Sequence, residues 1–280
     1  MGTIDKSDLY YEVYGEGLPL VMLHGWGVDR RILSRCIEPM LAGYPMPVQR
    51  IYIDLPGMGR STAASHIRTS DHVLDALTAL LDELIPGQRF LLMGESYGGY
   101  LARGMVRQRP SQIAGLILLC PLIVPGNRQG NVEPLRVMEK DEAFLRTLSA
   151  QDRASFEYLN VILTESVWNR FRDDILEALR HQNTHFLEVL DGAFSFDVDE
   201  LERPFAAPCL ILTGRQDTEV GWRDQFRLMD IYPNATFAVF NRAGHNLQIE
   251  QPEQFLSFLR HWLSDNMKLF YEFPREDTTG

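Results

Sequence analysis

The chain has 280 residues, enough for one enzyme-sized domain with a large buried core, and its 45% hydrophobic and 23% charged residues are ordinary for a globular protein. The formal net charge is −11, and Lys and Arg form no basic cluster. This composition argues against nucleic acid and anionic membrane surfaces as partners, because both are bound through concentrated positive charge.

Cysteine usage and the first residues bear on the compartment. Cys36, Cys120 and Cys209 are odd in number and show no paired spacing, which favours buried thiols in a reducing environment. Residues 1–8 are polar and acidic rather than signal-like, and no apolar run is long enough to span a bilayer. We therefore expect a cytoplasmic protein. No pattern indicates an oligomeric state.

Apolar strands and amphipathic helices alternate along most of the chain. Strands are predicted at residues 9–14, 20–23, 50–53, 90–93, 113–120, 208–214 and 235–240, and helices at 71–84, 100–108 and 252–263. This alternation predicts an α/β fold with a mostly parallel sheet covered by helices on both faces. The first strand is predicted at an edge, and residues 15–17 are predicted to turn it toward the second strand.

The region from 121 to 203 breaks this alternation. It contains no convincing buried strand, and its apolar stripes have helical spacing. The predicted helices cover residues 135–148, 152–163, 166–171 and 174–190. The sequence therefore predicts a helical insertion between two strands of the sheet.

The most informative motif follows the strand at residues 90–93. Residues 94–98 read Gly-Glu-Ser-Tyr-Gly and lead into the helix at 100–108. Glycines two positions before and after Ser96 let the backbone fold tightly beneath it, so the hydroxyl is presented at the sheet edge. A pattern of five residues is common by chance. The strand before it and the helix after it favour a catalytic nucleophile.

A serine hydroxyl is a weak nucleophile at neutral pH, and it needs a base and a group that orients the base. Asp217 follows the strand at 208–214, and His245 follows the strand at 235–240. Taken singly, the aspartate could be a turn residue and the histidine a loop residue. Chemistry in such sheets lies at the carboxyl ends of the strands, so their joint position predicts a triad with Ser96, His245 as base and Asp217 as orienting acid. The fallback candidates for the acid are Asp191, Asp197 and Asp199.

A glycine-rich loop supplies candidates for an oxyanion hole. Residues 24–27 read His-Gly-Trp-Gly after the strand at 20–23, and the amide groups of such a loop can point toward the serine. The candidate donors are the backbone N–H groups of Trp26 and of Tyr97, the residue after Ser96. The alternative is that the loop is only a tight turn.

Together these motifs resemble the α/β-hydrolase superfamily in its serine-nucleophile branch, over about residues 9–263. The pairing of residues 24–27 with residues 54–61, which read Asp-Leu-Pro-Gly-Met-Gly-Arg-Ser, is similar to small carboxylesterases, including pimeloyl-carrier-protein methyl ester esterases. It differs from the His-Gly-Gly-Pro-Gly turn of proline iminopeptidases. Ser96 differs from the aspartate nucleophile of haloalkane dehalogenases and epoxide hydrolases. We interpret Asp54 as an organiser of its loop.

The resemblance implies a domain plan. Residues 1–120 and 204–264 would form the α/β-hydrolase core, residues 121–203 a helical cap, and residues 265–280 a C-terminal tail. Such a cap can exclude water and shape the substrate pocket, whereas a purely structural insertion would only shield apolar surface. Five aromatic residues could line the pocket or fill the interior of the cap: Trp168, Phe171, Phe186, Phe194 and Phe196.

The predicted activity is that of a serine hydrolase, which cleaves a small or medium carboxylic ester or thioester through an acyl-enzyme. It would act on a small-molecule substrate and need no metal or organic cofactor. One alternative keeps the triad in a carbon–carbon bond hydrolase, an amidase or a perhydrolase, and another is a non-catalytic receptor for a small molecule. His181 and His185 have a spacing that can hold a metal. No Glu follows His181 directly, however, so the pair favours a solvated helix face.

Overall fold

A computed structural model describes residues 8–125, 131–191 and 198–272, with the backbone alone for 268–272. The strands are β1 (Tyr11–Tyr14), β2 (Leu18–Leu23), β3 (Val48–Ile53), β4 (Phe90–Glu95), β5 (Ile113–Leu119), β6 (Glu139–Lys140), β7 (Ile162–Leu163), β8 (Cys209–Gly214) and β9 (Ala235–Phe240). The α-helices are α1 (Arg31–Leu41), α2 (Ser70–Leu84), α3 (Tyr97–Gln108), α4 (Glu142–Leu145), α5 (Ala150–Leu159), α6 (Glu165–Phe171), α7 (Glu177–His181), α8 (Thr184–Leu190), α9 (Leu247–Glu250) and α10 (Pro252–Glu272).

Seven strands form the central sheet in the order β1-β3-β2-β4-β5-β8-β9. All neighbouring pairs are parallel except β1 and β3, which are antiparallel. The first strand lies at an edge, but it does not pair with β2 as the turn at residues 15–17 suggested. Both sides of β2 are occupied by β3 and β4, so β1 pairs with the remaining side of β3.

Alternate residues of the sheet face two separate hydrophobic layers. On one face, Met22 and Met93 pack with α1 and α10. On the other face, Val21 and Leu92 pack with α2 and α3. The inner strands β2, β4, β5 and β8 are buried on both sides because helices cover both faces, which is the arrangement that parallel sheets require. The fold class predicted from the sequence is confirmed.

Between β5 and β8, the elements from β6 to α8 form what we call the helical segment (139–190). The helix predicted at 135–148 is wrong for most of its length, because only Glu142–Leu145 is helical, with the Asp141 side chain accepting the Phe144 N–H at 3.0 Å. Leu135 is 44% exposed, so its place in the apolar stripe does not correspond to burial.

Two other helices of this segment also differ from their predictions. The helix predicted at 152–163 ends at Leu159, and Ile162–Leu163 pairs in parallel with Glu139–Lys140. The helix predicted at 174–190 starts within a π-helix at Arg172–Leu176, which continues α6 into α7, and it is interrupted before Thr184. It restarts there because the Asn183 side chain caps α8 by accepting the Phe186 N–H at 3.1 Å.

The last helix extends beyond its predicted end at Leu263 and continues to Glu272, within the predicted tail. Its apolar stripe continues with the same spacing, because Leu259, Leu263 and Met267 follow one another four residues apart and all are fully buried. The helices in the described part of the chain include none with the length and apolar character needed to cross a membrane.

The aromatic residues singled out from the sequence are packed in the interior of the protein where they are described. Trp168 and Phe171 both contact Phe156, with ring centroids 5.4 and 5.5 Å apart. Phe186 is buried against Gly57 of the neighbouring loop. Phe194 and Phe196 lie outside the described residues. The three described aromatic side chains therefore serve as packing residues.

Candidate active site

Ser96 lies at the apex of the turn between β4 and α3. Its φ is +51°, a value that residues other than glycine rarely adopt. The flanking glycines make this turn possible, because a Cβ at Gly94 would lie 2.3 Å from the Gly98 carbonyl oxygen and one at Gly98 would lie 2.2 Å from that of Leu23. The strained turn holds the Ser96 hydroxyl above the carboxyl edge of the sheet.

His245 contacts this hydroxyl. It follows β9 in a loop, and its Nε2 lies 2.9 Å from the Ser96 Oγ. The two residues are 149 positions apart in the chain, and they meet because β4 and β9 end at the same edge of the sheet. An imidazole at this distance can accept the hydroxyl proton.

Asp217 lies on the opposite side of the His245 ring. Its Oδ2 is 2.8 Å from Nδ1. A carboxylate only accepts hydrogen bonds, so Nδ1 carries the proton and Nε2 is left to face Ser96. The other oxygen, Oδ1, accepts the N–H groups of Glu219 and Val220 at 2.8 and 3.0 Å. Both oxygens are therefore fixed, and so is the imidazole tautomer.

A second carboxyl group lies near the imidazole. Glu95 is 1% exposed, and its Oε1 is 3.6 Å from the His245 Nε2. Burial raises the pKa of Glu95 to about 7. Burial alone would lower the pKa of His245, but the charge and hydrogen bond of Asp217, with a contribution from Glu95, outweigh burial and raise it above its usual value. Glu95 lies within the motif at residues 94–98, but no role was predicted for it from the sequence.

The loop at residues 24–27 runs directly against the serine. A Cβ at Gly25 would lie 2.4 Å from the Glu95 Oε2 and 3.0 Å from the Ser96 Cβ. Only glycine therefore lets this backbone approach so closely. Trp26 and Tyr97, the candidate oxyanion donors, both line the same cavity as Ser96. Tyr97 is the first residue of α3, so its N–H lies at the positive end of that helix dipole.

His24 fixes the orientation of this loop. From the sequence it was noted only as part of the loop at residues 24–27, and no separate role was predicted for it. It is fully buried, and its Nε2 accepts the Leu55 N–H at 2.9 Å. Nδ1 therefore carries the proton and donates to the Gly25 carbonyl oxygen at 2.8 Å. The Gly25–Trp26 peptide is trans, so the Trp26 N–H points in the direction opposite to that carbonyl, away from His24.

Asp54 holds the neighbouring loop. Its Oδ1 accepts the Arg30 N–H, its Oδ2 accepts the Arg60 N–H, and both distances are 2.9 Å. The Arg30 guanidinium also donates to Oδ2 at 3.0 Å. These contacts fit the predicted role of a loop organiser.

A cavity of about 860 Å³ opens between the carboxyl edge of the sheet and the helical segment. It reaches Ser96 and His245, and the lining from the helical segment includes Tyr158, Leu179 and Leu187. Four of its lining residues are carboxylic acids, which we call the acidic lining: Glu95, Glu188, Asp191 and Glu219. The described residues around this cavity include no Lys or Arg. The volume is in the range of sites for small molecules.

The fallback acids are placed elsewhere. Asp191 is exposed at the end of α8 and lines the cavity, and Asp199 is paired with Arg103 at 3.0 Å. Asp197 lies outside the described residues. The structure thus brings Asp217 to His245 rather than either of the two described alternatives.

Among the described residues, one group of side chains is close enough to share a metal ion: Cys120, Asp217 and His245, with ligand atoms within 4.8 Å of one another. Both nitrogens of His245 already have hydrogen-bond partners, and burial raises the pKa of the Cys120 thiol well above its usual value. His181 and His185 are exposed on different helices, because the helix predicted to carry both is interrupted.

A parallel sheet with a serine turn at its carboxyl edge defines the hydrolase type of α/β protein. A family model described as the alpha/beta hydrolase family matches residues 20–258. The chain therefore belongs to the α/β-hydrolase family, as its motifs predicted.

Individual relatives agree with this assignment. The chain is 25% identical over 262 residues to a pimeloyl-[acyl-carrier protein] methyl ester esterase of Aeromonas hydrophila, covering 90% of this chain and 98% of that relative. It is 29% identical over 281 residues to 2-hydroxy-6-oxononadienedioate/2-hydroxy-6-oxononatrienedioate hydrolase 2 of Pseudomonas putida, covering 93% and 94%. The solved structure of an alpha/beta superfamily hydrolase from Oenococcus oeni is similar with a TM-score of 0.84 and 30% identity, over 93% of this chain and 97% of that one.

Proposed function

We propose that the protein is a serine hydrolase that cleaves a small or medium carboxylic ester or thioester through an acyl-enzyme. The observation that carries this proposal is the continuous hydrogen-bonded path from the Ser96 Oγ to the His245 Nε2 at 2.9 Å and from Nδ1 to the Asp217 Oδ2 at 2.8 Å. This path combines a nucleophile, a base and an orienting acid in the roles that acyl transfer requires.

In the first half-reaction, the Ser96 Oγ attacks the carbonyl carbon while its proton passes to the His245 Nε2. The negative charge that develops on the carbonyl oxygen would be stabilised by the N–H groups of Trp26 and Tyr97. Collapse of the tetrahedral intermediate breaks the bond to the alcohol or thiol, which takes the proton from the imidazolium. Asp217 holds the ring and stabilises its positive charge throughout.

In the second half-reaction, water replaces the leaving group. His245 removes a proton from the water, and the resulting hydroxide attacks the acyl carbon. The acid leaves, and the Ser96 oxygen recovers its proton from the imidazolium. The chemistry needs no metal or organic cofactor.

We further propose that the helical segment acts as a cap, within an insertion at 121–203, over a core formed by residues 1–120 and 204–264. The support is that this segment supplies one wall of the cavity. In this proposal the cap excludes water from the reacting atoms and limits the size of the substrate. The cavity volume of about 860 Å³ favours a small or medium molecule.

Ester cleavage is favoured over other reactions by the names of relatives. The Aeromonas relative is named as a methyl ester esterase. The Pseudomonas relative is named as a hydrolase of 2-hydroxy-6-oxo dienedioates, which keeps a carbon–carbon bond hydrolase as the second candidate. The same three side chains can serve both reactions, so a substrate panel distinguishes them.

The direct test uses nitrophenyl esters of increasing acyl length. We expect a burst of nitrophenol equal to the enzyme concentration, followed by slower turnover, because an activated nitrophenyl ester acylates the serine faster than water hydrolyses the acyl-enzyme. Ser96→Ala should abolish the burst, and Ser257→Ala, at an exposed position of α10, should leave it unchanged. Binding of a ligand without a burst would instead favour the receptor.

The cellular setting also remains a proposal. The free cysteines Cys36, Cys120 and Cys209 are buried, which supports a reducing compartment and hence a cytoplasmic location. We propose a small molecule as the substrate. Neither nucleic acid nor a membrane surface fits a chain with a net charge of −11.

A further inference from the structure

One buried carboxyl group outside the three proposed catalytic residues joins two distant parts of the chain. Glu250 is the last residue of α9 and is 6% exposed. Its Oε2 accepts the Gly244 N–H at 2.6 Å. Its Oε1 accepts the N–H groups of Val161 and Ile162 at 2.5 and 3.2 Å. Each oxygen thus holds a different segment of backbone.

The two segments are the ones that must be kept together at the active site. Gly244 is the residue before His245, so its amide belongs to the loop that carries the imidazole. Val161 lies between α5 and β7 in the helical segment, and Ile162 is the first residue of β7. The same part of that segment lines the cavity through Tyr158 and Leu159. Glu250 therefore bridges the His245 loop and the wall above it.

A second contact joins the same two segments beside Glu250. The Asn246 side chain donates to the Asn160 Oδ1 at 3.0 Å, and its Nδ2 lies 3.5 Å from the Leu159 carbonyl oxygen. Asn246 follows His245 directly and lines the cavity. The imidazole is thus flanked on both sides along the chain by residues bonded to Glu250 or to the helical segment.

The three bonds to Glu250 are not easily replaced. Hydrogen bonds to an ionised carboxylate are about twice as strong as those between neutral groups. Removing the acceptor would leave three buried N–H groups without a partner, a costly state in a protein interior. Burial raises the pKa of Glu250 to about 7, and the charge of Asp217 adds to this effect, while the three N–H groups oppose it, so the carboxyl group is mostly ionised above pH 7.

We propose that Glu250 is a positioning residue. By hydrogen bonding to both the helical segment and the loop that bears the imidazole, it holds His245 within hydrogen-bonding distance of Ser96. This inference rests on the proposed function, because it assigns Glu250 a role in the reaction of those two side chains. Glu250 itself is not among the residues that line the cavity, and it bonds to backbone amides. It acts through His245 rather than on the substrate.

The test is Glu250→Gln, which preserves size but replaces one acceptor oxygen with an NH₂ group. One of the two segments then loses its partner, because an NH₂ group cannot accept from N–H. We expect kcat to fall by about 10- to 100-fold with KM changed by less than about threefold, since misplacement of a catalytic group by about 1 Å can cost 100-fold. The rate at which a fluorophosphonate labels Ser96 should fall by the same factor, because labelling needs the same imidazole.

The matched control is Glu253→Gln, the same chemical change at an exposed position of α10 three residues away. It should keep kcat and the labelling rate within about twofold of the original protein, as surface substitutions usually do. Rates are normalised to the fraction of folded protein at the assay temperature, which is obtained from the thermal unfolding curve. The downfield proton resonance of the His245 Nδ1–H reports the ring position and should shift or broaden only in Glu250→Gln.

Two results would overturn the proposal. One is a Glu250→Gln protein with kcat and labelling rate equal to those of the control. The other is a loss that disappears after normalisation to folded protein, with the Nδ1–H resonance unchanged, because Glu250 would then contribute to stability alone.

Hydrogen exchange of the unmodified protein tests whether Glu250 holds the two segments together, even if the variant does not fold. The amides of Gly244, Val161 and Ile162 should all be protected to a similar extent, because one carboxylate holds them. Exchange of Val161 and Ile162 more than about 100-fold faster than that of Gly244 would correspond to separate opening and would overturn the proposal. If the unmodified protein neither turns over esters nor reacts with the fluorophosphonate, the proposed function fails. The exchange data still show whether Glu250 holds the helical segment and the His245 loop together.

Discussion

Asp217→Asn is the substitution whose outcome the geometry specifies most completely. Asp217 is fully buried, and its Oδ1 accepts the N–H groups of Glu219 and Val220. An asparagine must keep its carbonyl oxygen at that position, because its NH₂ group would face two donors there. The NH₂ group is then directed at the His245 Nδ1, which can only accept from it.

The consequence is a change of tautomer. The ring proton moves to Nε2, so His245 can donate to Ser96 but cannot take its proton. In serine proteases the same exchange lowers kcat about 10⁴-fold, and we expect a loss of similar size here, equivalent to about 5.5 kcal/mol at 1.36 kcal/mol for each factor of ten. The fold should persist, because the bonds to Glu219 and Val220 are retained.

The assay is the turnover of a short nitrophenyl ester, measured together with thermal unfolding. Asp230→Asn, at an exposed position, is the control and should behave like the original protein. Activity of Asp217→Asn within about tenfold of normal would refute the tautomer argument, and the acid would then have to be sought among Asp191, Asp197 and Asp199.

Four further outcomes are expected. Ser96→Ala should lower turnover by about 10⁴-fold or more without unfolding the protein, as measured by ester hydrolysis and circular dichroism. His24→Leu should lower kcat about 100-fold in the same assay, because the Gly25–Trp26 peptide is no longer held with its N–H directed away from residue 24 and one oxyanion donor is misplaced. The neutral imidazole is the active base, so the raised pKa of His245 should place the acid limb of the pH profile of kcat/KM above pH 6.5. Glu95→Gln removes a nearby negative charge and should therefore move that limb to lower pH. The acidic lining should make kcat/KM about tenfold lower for an ester with a carboxylate on its acyl chain than for its neutral isostere, because like charges repel in a partly buried site.

The parts of the fold that the sequence predicted correctly are those in which one local pattern determines one element. The residues of β4 and β8 are short apolar runs, and both strands are paired on both sides within the sheet. Ser96, Asp217 and His245 each lie within a few residues of the carboxyl end of a strand, so the topology of the sheet was sufficient to predict that they would meet. Their catalytic roles remain a prediction.

The helical segment was predicted less well because its apolar spacing is ambiguous. Leu135 and Val137 are 44% and 38% exposed, so apolar residues at helical intervals did not mark a buried face there. Ile162 and Leu163 are buried and extended. Two-residue strands are too short for a pattern of alternation to reveal them.

The roles of His24, Glu95 and Glu250 could not be derived from the sequence. The role of His24 depends on the hydrogen bond that it accepts from the Leu55 N–H, and the role of Glu95 depends on its distance from His245. The role of Glu250 depends on hydrogen bonds from backbone amides that lie 89 and 88 positions away in the chain. Such roles depend on contacts between segments, and a single sequence without a structure contains no local sign of them.

The nucleophilic role of Ser96 is tested most directly by covalent labelling. The protein is treated with a fluorophosphonate, digested, and mapped by mass spectrometry, with Ser96→Ala as the parallel sample. We expect one phosphonate per chain on the peptide containing Ser96, and none in the variant. A folded protein that turns over esters while its label lies on another residue, or that keeps the label in Ser96→Ala, would contradict it.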